Sequence, residues 1–184
     1  MKILSAILLS LVLISQAAAA ELKDLPPKPA PTLVLPALAG GTLDLKQFRG
    51  KVVLVNYWAT WCPPCRKELP SMNRLAERLA GQPFAILGVN AGDSAEDVRA
   101  FLQKLPVNFP VVLDQEGTSL KPWQVFAFPT SYVVDKQGRV RMGAVGQRLG
   151  CHSISHREIT PALCETSEAG CRSDPWRSCC RCSR

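Results

Sequence analysis

Lys51-Val52-Val53-Leu54-Val55-Asn56-Tyr57-Trp58-Ala59-Thr60-Trp61-Cys62-Pro63-Pro64-Cys65 is the stretch whose reading decides the fold. Its first half, Lys51 to Trp58, is β-branched and almost continuously apolar, the pattern of a central strand buried on both faces. The strand runs straight into two cysteines three residues apart. Past them Leu69, Met72, Leu75, Ala76 and Leu79 recur at helical spacing, and Gly81 is well placed to end the helix. Pro70 lies inside it and predicts a kink. A strand that delivers Cys62 to a helix N-terminus places its sulfur against unpaired N–H groups and the positive end of the helix dipole, which stabilise a thiolate. Pro63 and Pro64 suit the first turn, where a missing N–H costs no helix bond. Cys65 sits one turn in, where it can attack a mixed disulfide formed on Cys62. The pattern points to thiol–disulfide exchange, with Cys62 as nucleophile and Cys65 as resolving thiol. Arg66 and Lys67 add positive charge nearby. The competing readings are a purely structural disulfide and half of a zinc site, and the second finds no other C-x-x-C or H-x-x-x-H in the globular part.

Outward from this stretch, strands and helices alternate. Phe84 to Asn90 reads as another buried strand. Ser94-Ala95-Glu96-Asp97 looks like a capping box opening a helix with Val98, Phe101, Leu102 and Leu105 on one face. Phe109 to Leu113 is a short strand, and Trp123 to Phe128 a short turn or helix. Thr130 to Val134 and Arg139 to Val145 are strands joined by the turn Asp135-Lys136-Gln137-Gly138. Phe128-Pro129 precedes the first of them, where a proline biases the residue before it toward extended geometry. On the N-terminal side, Thr32 to Leu35 and Thr42 to Leu45 form a hairpin about Ala39-Gly40-Gly41. Residues 21–31 hold Pro26, Pro27, Pro29 and Pro31 and read as an extended tether. The expectation is an α/β domain over residues 32–148: a mixed central sheet flanked by helices on both faces, with an N-terminal β-hairpin.

The chain has 184 residues, 47% of them hydrophobic, enough for one domain with a real core. Lys2, the apolar run Ile3 to Ile14 and Ala17-Ala18-Ala19-Ala20 read as an export signal over residues 1–20, cleaved before Glu21 or kept as an anchor. No cysteine follows the run, so a lipid-modified N-terminus is not expected. Export makes paired cysteines readable as disulfides, and it makes nucleic acid a poor explanation of the net charge of +7. Residues 149–184 form an atypical tail. From Cys151 onward, arginine, cysteine and serine make up half the residues, and neither strand nor helix periodicity survives. A frameshifted terminus is the expectation, with a disulfide-rich tail or a metal site on Cys151, His152, His156 and Cys164 as alternatives.

The runs Gly50 to Pro70 and Phe128-Pro129-Thr130-Ser131-Tyr132-Val133-Val134-Asp135-Lys136-Gln137-Gly138 resemble the TlpA/ResA branch of the thioredoxin superfamily. The resemblance spans roughly Thr32 to Gln147. It implies a thioredoxin-like fold and a periplasmic domain that reduces disulfides in exported client proteins, for example during maturation of c-type cytochromes or copper oxidases. It also implies a membrane thiol-transfer protein as electron donor, no soluble cofactor and a monomer. Cys62 matches the nucleophile and Cys65 the resolving thiol. Pro129 matches a cis-proline facing the disulfide, and Phe128 the residue whose backbone pairs with an extended client. Trp61, Pro63 and Thr130 fall beside them as substrate-binding positions. Glu68 matches an acid that tunes the thiols; the plainer alternative is an exposed helix glutamate. Asn56 stands where ordinary thioredoxins hold a buried aspartate, so protons must be managed by Glu68, water or Cys62 itself. The segment between Val89 and Pro110 matches a helix-containing insertion of this branch. The match ends near Arg148, so a final covering helix is expected to be missing.

Three alternatives stand beside reduction. A disulfide-forming oxidase would use the same pair, since C-P-P-C alone does not set a potential. A peroxidase of peroxiredoxin type usually has threonine three residues before its reactive cysteine, where this chain has Ala59. A copper metallochaperone would use both thiolates, which are soft ligands for Cu(I).

Overall fold

The computed structural model describes residues 22–146. The expected export signal, the atypical tail and the expectation about a final covering helix therefore lie outside the described residues. Eight strands and two α-helices follow one another as β1 (Lys23–Pro29), β2 (Val34–Pro36), β3 (Thr42–Asp44), β4 (Val52–Trp58), α1 (Pro63–Arg78), β5 (Phe84–Ala91), α2 (Ala95–Lys104), β6 (Val111–Asp114), β7 (Thr130–Val134) and β8 (Arg139–Val145). Six strands make one mixed sheet in the order β1-β8-β7-β4-β5-β6, and β2 pairs with β3 in a separate hairpin. β4, β5 and β6 are parallel, while β7, β8 and β1 add antiparallel neighbours.

β4 is the centre of this sheet and is buried at every position. Alternation along it builds two cores. Val52, Leu54 and Trp58 face Leu69, Met72 and Leu75 of α1 and Val98 of α2. Val53, Val55 and Tyr57 face the opposite way, toward Leu33, Leu35, Leu45, Trp123 and Val125. Among the described residues both helices thus cover the same face, which corrects the expectation of helices on both. The topology supplies the reason. The chain steps from β4 to β5 to β6 in one direction, and two successive crossovers of the same hand deposit their helices on the same side. Among the described residues, the other face is closed by the β2–β3 hairpin, the 3-10 turn Leu45–Phe48 and the loop before β7.

The proline-rich tether is a second correction. Lys23 to Pro29 pairs antiparallel with β8, Lys23 opposite Gly143 and Pro29 opposite Arg139, with an irregularity between Asp24 and Lys28. An edge strand needs ladder hydrogen bonds on one side only, and Pro26 and Pro27 fall where the register slips, so their missing N–H groups interrupt little pairing. The helix signals, by contrast, read true. Ser94 caps α2 by accepting the Asp97 N–H at 3.1 Å, and α1 ends at Arg78 with Gly81 following at φ +81°.

Candidate active site

β4 ends at Trp58, and Ala59-Thr60-Trp61 carries the chain to the start of α1. Cys62 is the N-cap residue of α1, with Pro63 and Pro64 filling its first turn. The cysteines are joined, S–S 2.08 Å with Cα atoms 5.3 Å apart. The Cys65 N–H points at the Cys62 sulfur at 3.3 Å, the place of an N-cap oxygen. Cys65 is wholly buried and Cys62 nearly so, and of the two only Cys62 lines a cleft of about 460 Å³ beside Trp61, Pro63, Phe126 and Phe128. Attack from outside can therefore reach Cys62 and not Cys65. Trp61 is 65% exposed and stands edge-on to Phe128, ring centroids 5.8 Å apart. The Phe128–Pro129 peptide bond is cis, and the Pro129 carbonyl accepts the Gly146 N–H at 2.8 Å.

Behind the disulfide lies a buried polar cluster. Asn56 falls between Leu54 and Trp58 on the helix-facing side of β4, and Glu68 lies one turn beyond Cys65 on the same face of α1. Asn56 Nδ2 donates to Glu68 Oε1 at 2.8 Å and to Ser131 Oγ at 2.9 Å. Glu68 is 1% exposed, so the plainer reading of it as a solvent-facing glutamate is wrong. Strand register explains this: Asn56 is directly opposite Ser131 in the β4–β7 pair.

The sequence-predicted residues are thus gathered with two differences. Thr130 is fully buried and its hydroxyl donates to the Ala127 carbonyl at 2.7 Å. Its side chain ties down the turn holding Pro129 and does not face the cleft, which corrects its assignment to substrate contact. Arg66 sits with its guanidinium 5.8 Å from the Phe101 ring centre, packed against α2.

Sequence reasoning missed a clamp on the loop in front of Cys62. Asp93, at the C-terminal end of β5, accepts the Thr60 N–H at 2.7 Å, the Thr60 hydroxyl at 2.8 Å and Asn90 Nδ2 at 2.8 Å. An acid just beyond the carboxyl end of a parallel strand is the available signal, since sites gather along that edge. A second missed anchor is Asp114, whose carboxylate takes the backbone N–H and hydroxyl of both Thr118 and Ser119 at 2.6–2.9 Å. Ser119 Oγ in turn accepts the Tyr57 hydroxyl at 3.1 Å. Burial pushes the Tyr57 phenol far above its ordinary value, against the opposing hydrogen bond to Ser119. This network roots the loop that supplies Val125, Phe126 and Phe128 to the cleft.

Comparison with known proteins gives a consistent picture. The AhpC/TSA family model matches residues 26–142. The thiol-disulfide oxidoreductase ResA of Bacillus thuringiensis subsp. konkukian (strain 97-27) is 36% identical over 121 residues, covering 66% of this chain and 70% of that protein. The thioredoxin-like protein YneN of Bacillus subtilis (strain 168) is 38% identical over 120 residues, 64% of this chain and 69% of YneN. Among solved structures, a candidate thiol:disulfide interchange protein DsbE from Chlorobium tepidum superposes with a TM-score of 0.71 at 30% identity, over 77% of this chain and 99% of that one.

Proposed function

Since the chain belongs to the AhpC/TSA family, and is within it a thioredoxin-like thiol–disulfide oxidoreductase, we propose that it works outside the cytoplasm as a reductase of disulfides in exported client proteins. The observation that carries this reading is the asymmetry of the pair: Cys62 lines the cleft at a helix N-terminus, and Cys65 is buried behind it. In the reduced protein the Cys62 thiolate attacks one sulfur of a client disulfide. A Cys62–client disulfide forms, and the other client sulfur leaves as a thiolate. Cys65, as thiolate, then attacks the Cys62 sulfur, closing Cys62–Cys65 and releasing the second client thiolate. Two electrons pass to the client, and a membrane thiol-transfer protein returns them.

The helix N-terminus favours the Cys62 thiolate both as attacking and as leaving group. Phe128 and Pro129, across the cleft, hold the client backbone beside Cys62, with Trp61 and Pro63 packing on its side chains. Glu68 serves the buried thiol. Cys65 must lose a proton in a place closed to solvent, and Glu68 is the titratable group one turn along its own helix. Asn56 holds that carboxyl in place and cannot itself take the proton. The clients include proteins whose cysteines must be free for cofactor attachment, as in cytochrome c or copper-oxidase maturation.

A Cys65→Ser variant exposed to an extracytoplasmic extract is expected to retain clients as Cys62-linked mixed disulfides that dithiothreitol releases. The reduction potential from glutathione equilibration is expected near that of thioredoxin, about −270 mV. A potential close to about −120 mV, with no reduction of a test protein disulfide, would reject reduction in favour of disulfide formation.

A further inference from the structure

Phe126 is 89% exposed, although the residues around it in the same loop, Trp123 and Val125, are buried. The loop holds it there deliberately in the geometric sense: Gln124 takes φ +54°, a left-handed conformation uncommon for a residue with a side chain, and its carbonyl accepts the Tyr132 hydroxyl at 3.3 Å. The exposed ring is shared by two hollows. One is the cleft at Cys62. The other, about 440 Å³, lies over the β1–β8 edge of the sheet. Its floor is Gly143, where a Cβ would stand 3.1 Å from both Leu25 Cδ1 and Tyr132 Cε1. Only a bare backbone leaves that floor open.

The second hollow has a definite charge. Lys23 and Lys28 line it, and among the described residues no carboxylate lines either hollow. Asp24 belongs to the other face of the strand, since alternation turns it away from Lys23 and Leu25. The two hollows meet at Phe126, so a track from the reactive sulfur passes that ring and ends between two cations that no carboxylate among the described residues opposes.

We propose that this track selects client segments that are apolar next to the reacting cysteine and acidic farther along, with Phe126 gripping the apolar part and Lys23 and Lys28 pairing with client carboxylates. The proposal rests on the reading of the chain as a reductase, and deepens it by naming the substrate class. Two exposed ion pairs of ordinary strength correspond to a preference of about tenfold.

The test uses short peptides bearing one cysteine as a mixed disulfide with thionitrobenzoate. They are identical except for three aspartates or three lysines placed four to seven residues from the cysteine, on either side. The full chain is expected to release thionitrobenzoate from the better acidic peptide with kcat/KM about tenfold above its lysine counterpart. A Lys23→Glu/Lys28→Glu double variant is expected to invert that ratio, and Phe126→Ala to lower kcat/KM for both peptides while keeping the ratio. Equal rates for the two peptides, or an unchanged ratio in the double variant, would overturn the proposal. A benzophenone side chain placed at position 126 is expected to crosslink to the acidic peptide. Crosslinking instead to residues 147–184 of the same chain, or to a second copy, would overturn it as well. Reduction of oxidised glutathione by the unsubstituted protein reads the reductase function separately. If that fails, anisotropy of labelled peptides on the oxidised protein still decides the track: acidic preference supports it, none rejects it.

Discussion

Replacing Asp93 should loosen the redox loop, and two substitutions separate how. Asp93 gathers three donors: Oδ2 takes the Thr60 N–H and Asn90 Nδ2, and Oδ1 takes the Thr60 hydroxyl. Asp93→Ala removes both acceptor oxygens and with them all three bonds. Asn90 is fully buried and its Oδ1 already lacks a partner, so its stranded donor costs about 1–3 kcal/mol. Thr60 is half-buried, and water can replace its two lost bonds at about 0.5–1 kcal/mol each. The expected loss is therefore about 2–5 kcal/mol in chemical denaturation of the oxidised protein. Asp93→Asn behaves differently. Its carbonyl oxygen can take both N–H donors, and its amide can donate to the Thr60 oxygen, whose hydroxyl rotates to accept. Only charge assistance is lost, about 1 kcal/mol. Because Thr60 lies two residues before Cys62, the alanine variant should also change the glutathione-measured potential, and the asparagine variant should hold it near the original. The reasoning fails if both variants lose the same stability, or if Asp93→Ala stays within 1 kcal/mol of the unsubstituted protein.

Glu68→Gln keeps the hydrogen-bonding shape beside Asn56 and removes a carboxyl group that opposes thiolate formation. Alkylation of the reduced protein followed against pH should show its midpoint about one pH unit lower, and an unmoved midpoint would remove Glu68 from the thiol chemistry. Asp135 governs acid stability. Burial pushes its carboxyl up, but N–H donors from Arg139 and Gln137 and the Arg139 charge outweigh this and hold it below the usual carboxylate range. Its contribution is therefore present above the unfolded value of about 3.9 and disappears as pH falls through the lower folded value. Asp135→Asn should lose about 1–3 kcal/mol at pH 7 and flatten the acid limb of stability below about pH 4; an acid limb identical to that of the unsubstituted protein would refute this. Gly88→Ala places a Cβ 3.1 Å from Phe109 and 3.2 Å from Trp58 Nε1, so denaturation should register a loss of about 1–3 kcal/mol, with no loss meaning that these rings yield freely.

What the sequence made legible was what local pattern determines. The apolar run Val52–Trp58, the helical spacing of Leu69, Met72 and Leu75 and the cap at Ser94 each specify an element from neighbours within a turn or two, and each forms as its pattern implies. The disulfide pair belongs here too, because three residues along one chain fix its geometry. The features that escaped are set by partners far away in sequence. Lys23–Pro29 becomes a strand only because β8 offers an edge that tolerates prolines on one side. Asp93 looks like a loop acid until β5 brings it against Thr60, 33 residues earlier. Glu68 shows the boundary most clearly. Helical periodicity alone allows it to face solvent, and the resemblance alone gives it a role, but what buries it is the parity of β4. Asn56 shares a face with Leu54 and Trp58, so α1 must turn Glu68 inward to meet it. The same parity then assigns Tyr57 to the opposite core, where it anchors through Ser119 the loop that presents Phe126 and Phe128. One strand's alternation thus places the carboxyl group beneath the thiols on one side and, on the other, roots the loop that lines the cleft. A one-residue slip of β4 would separate both from the disulfide.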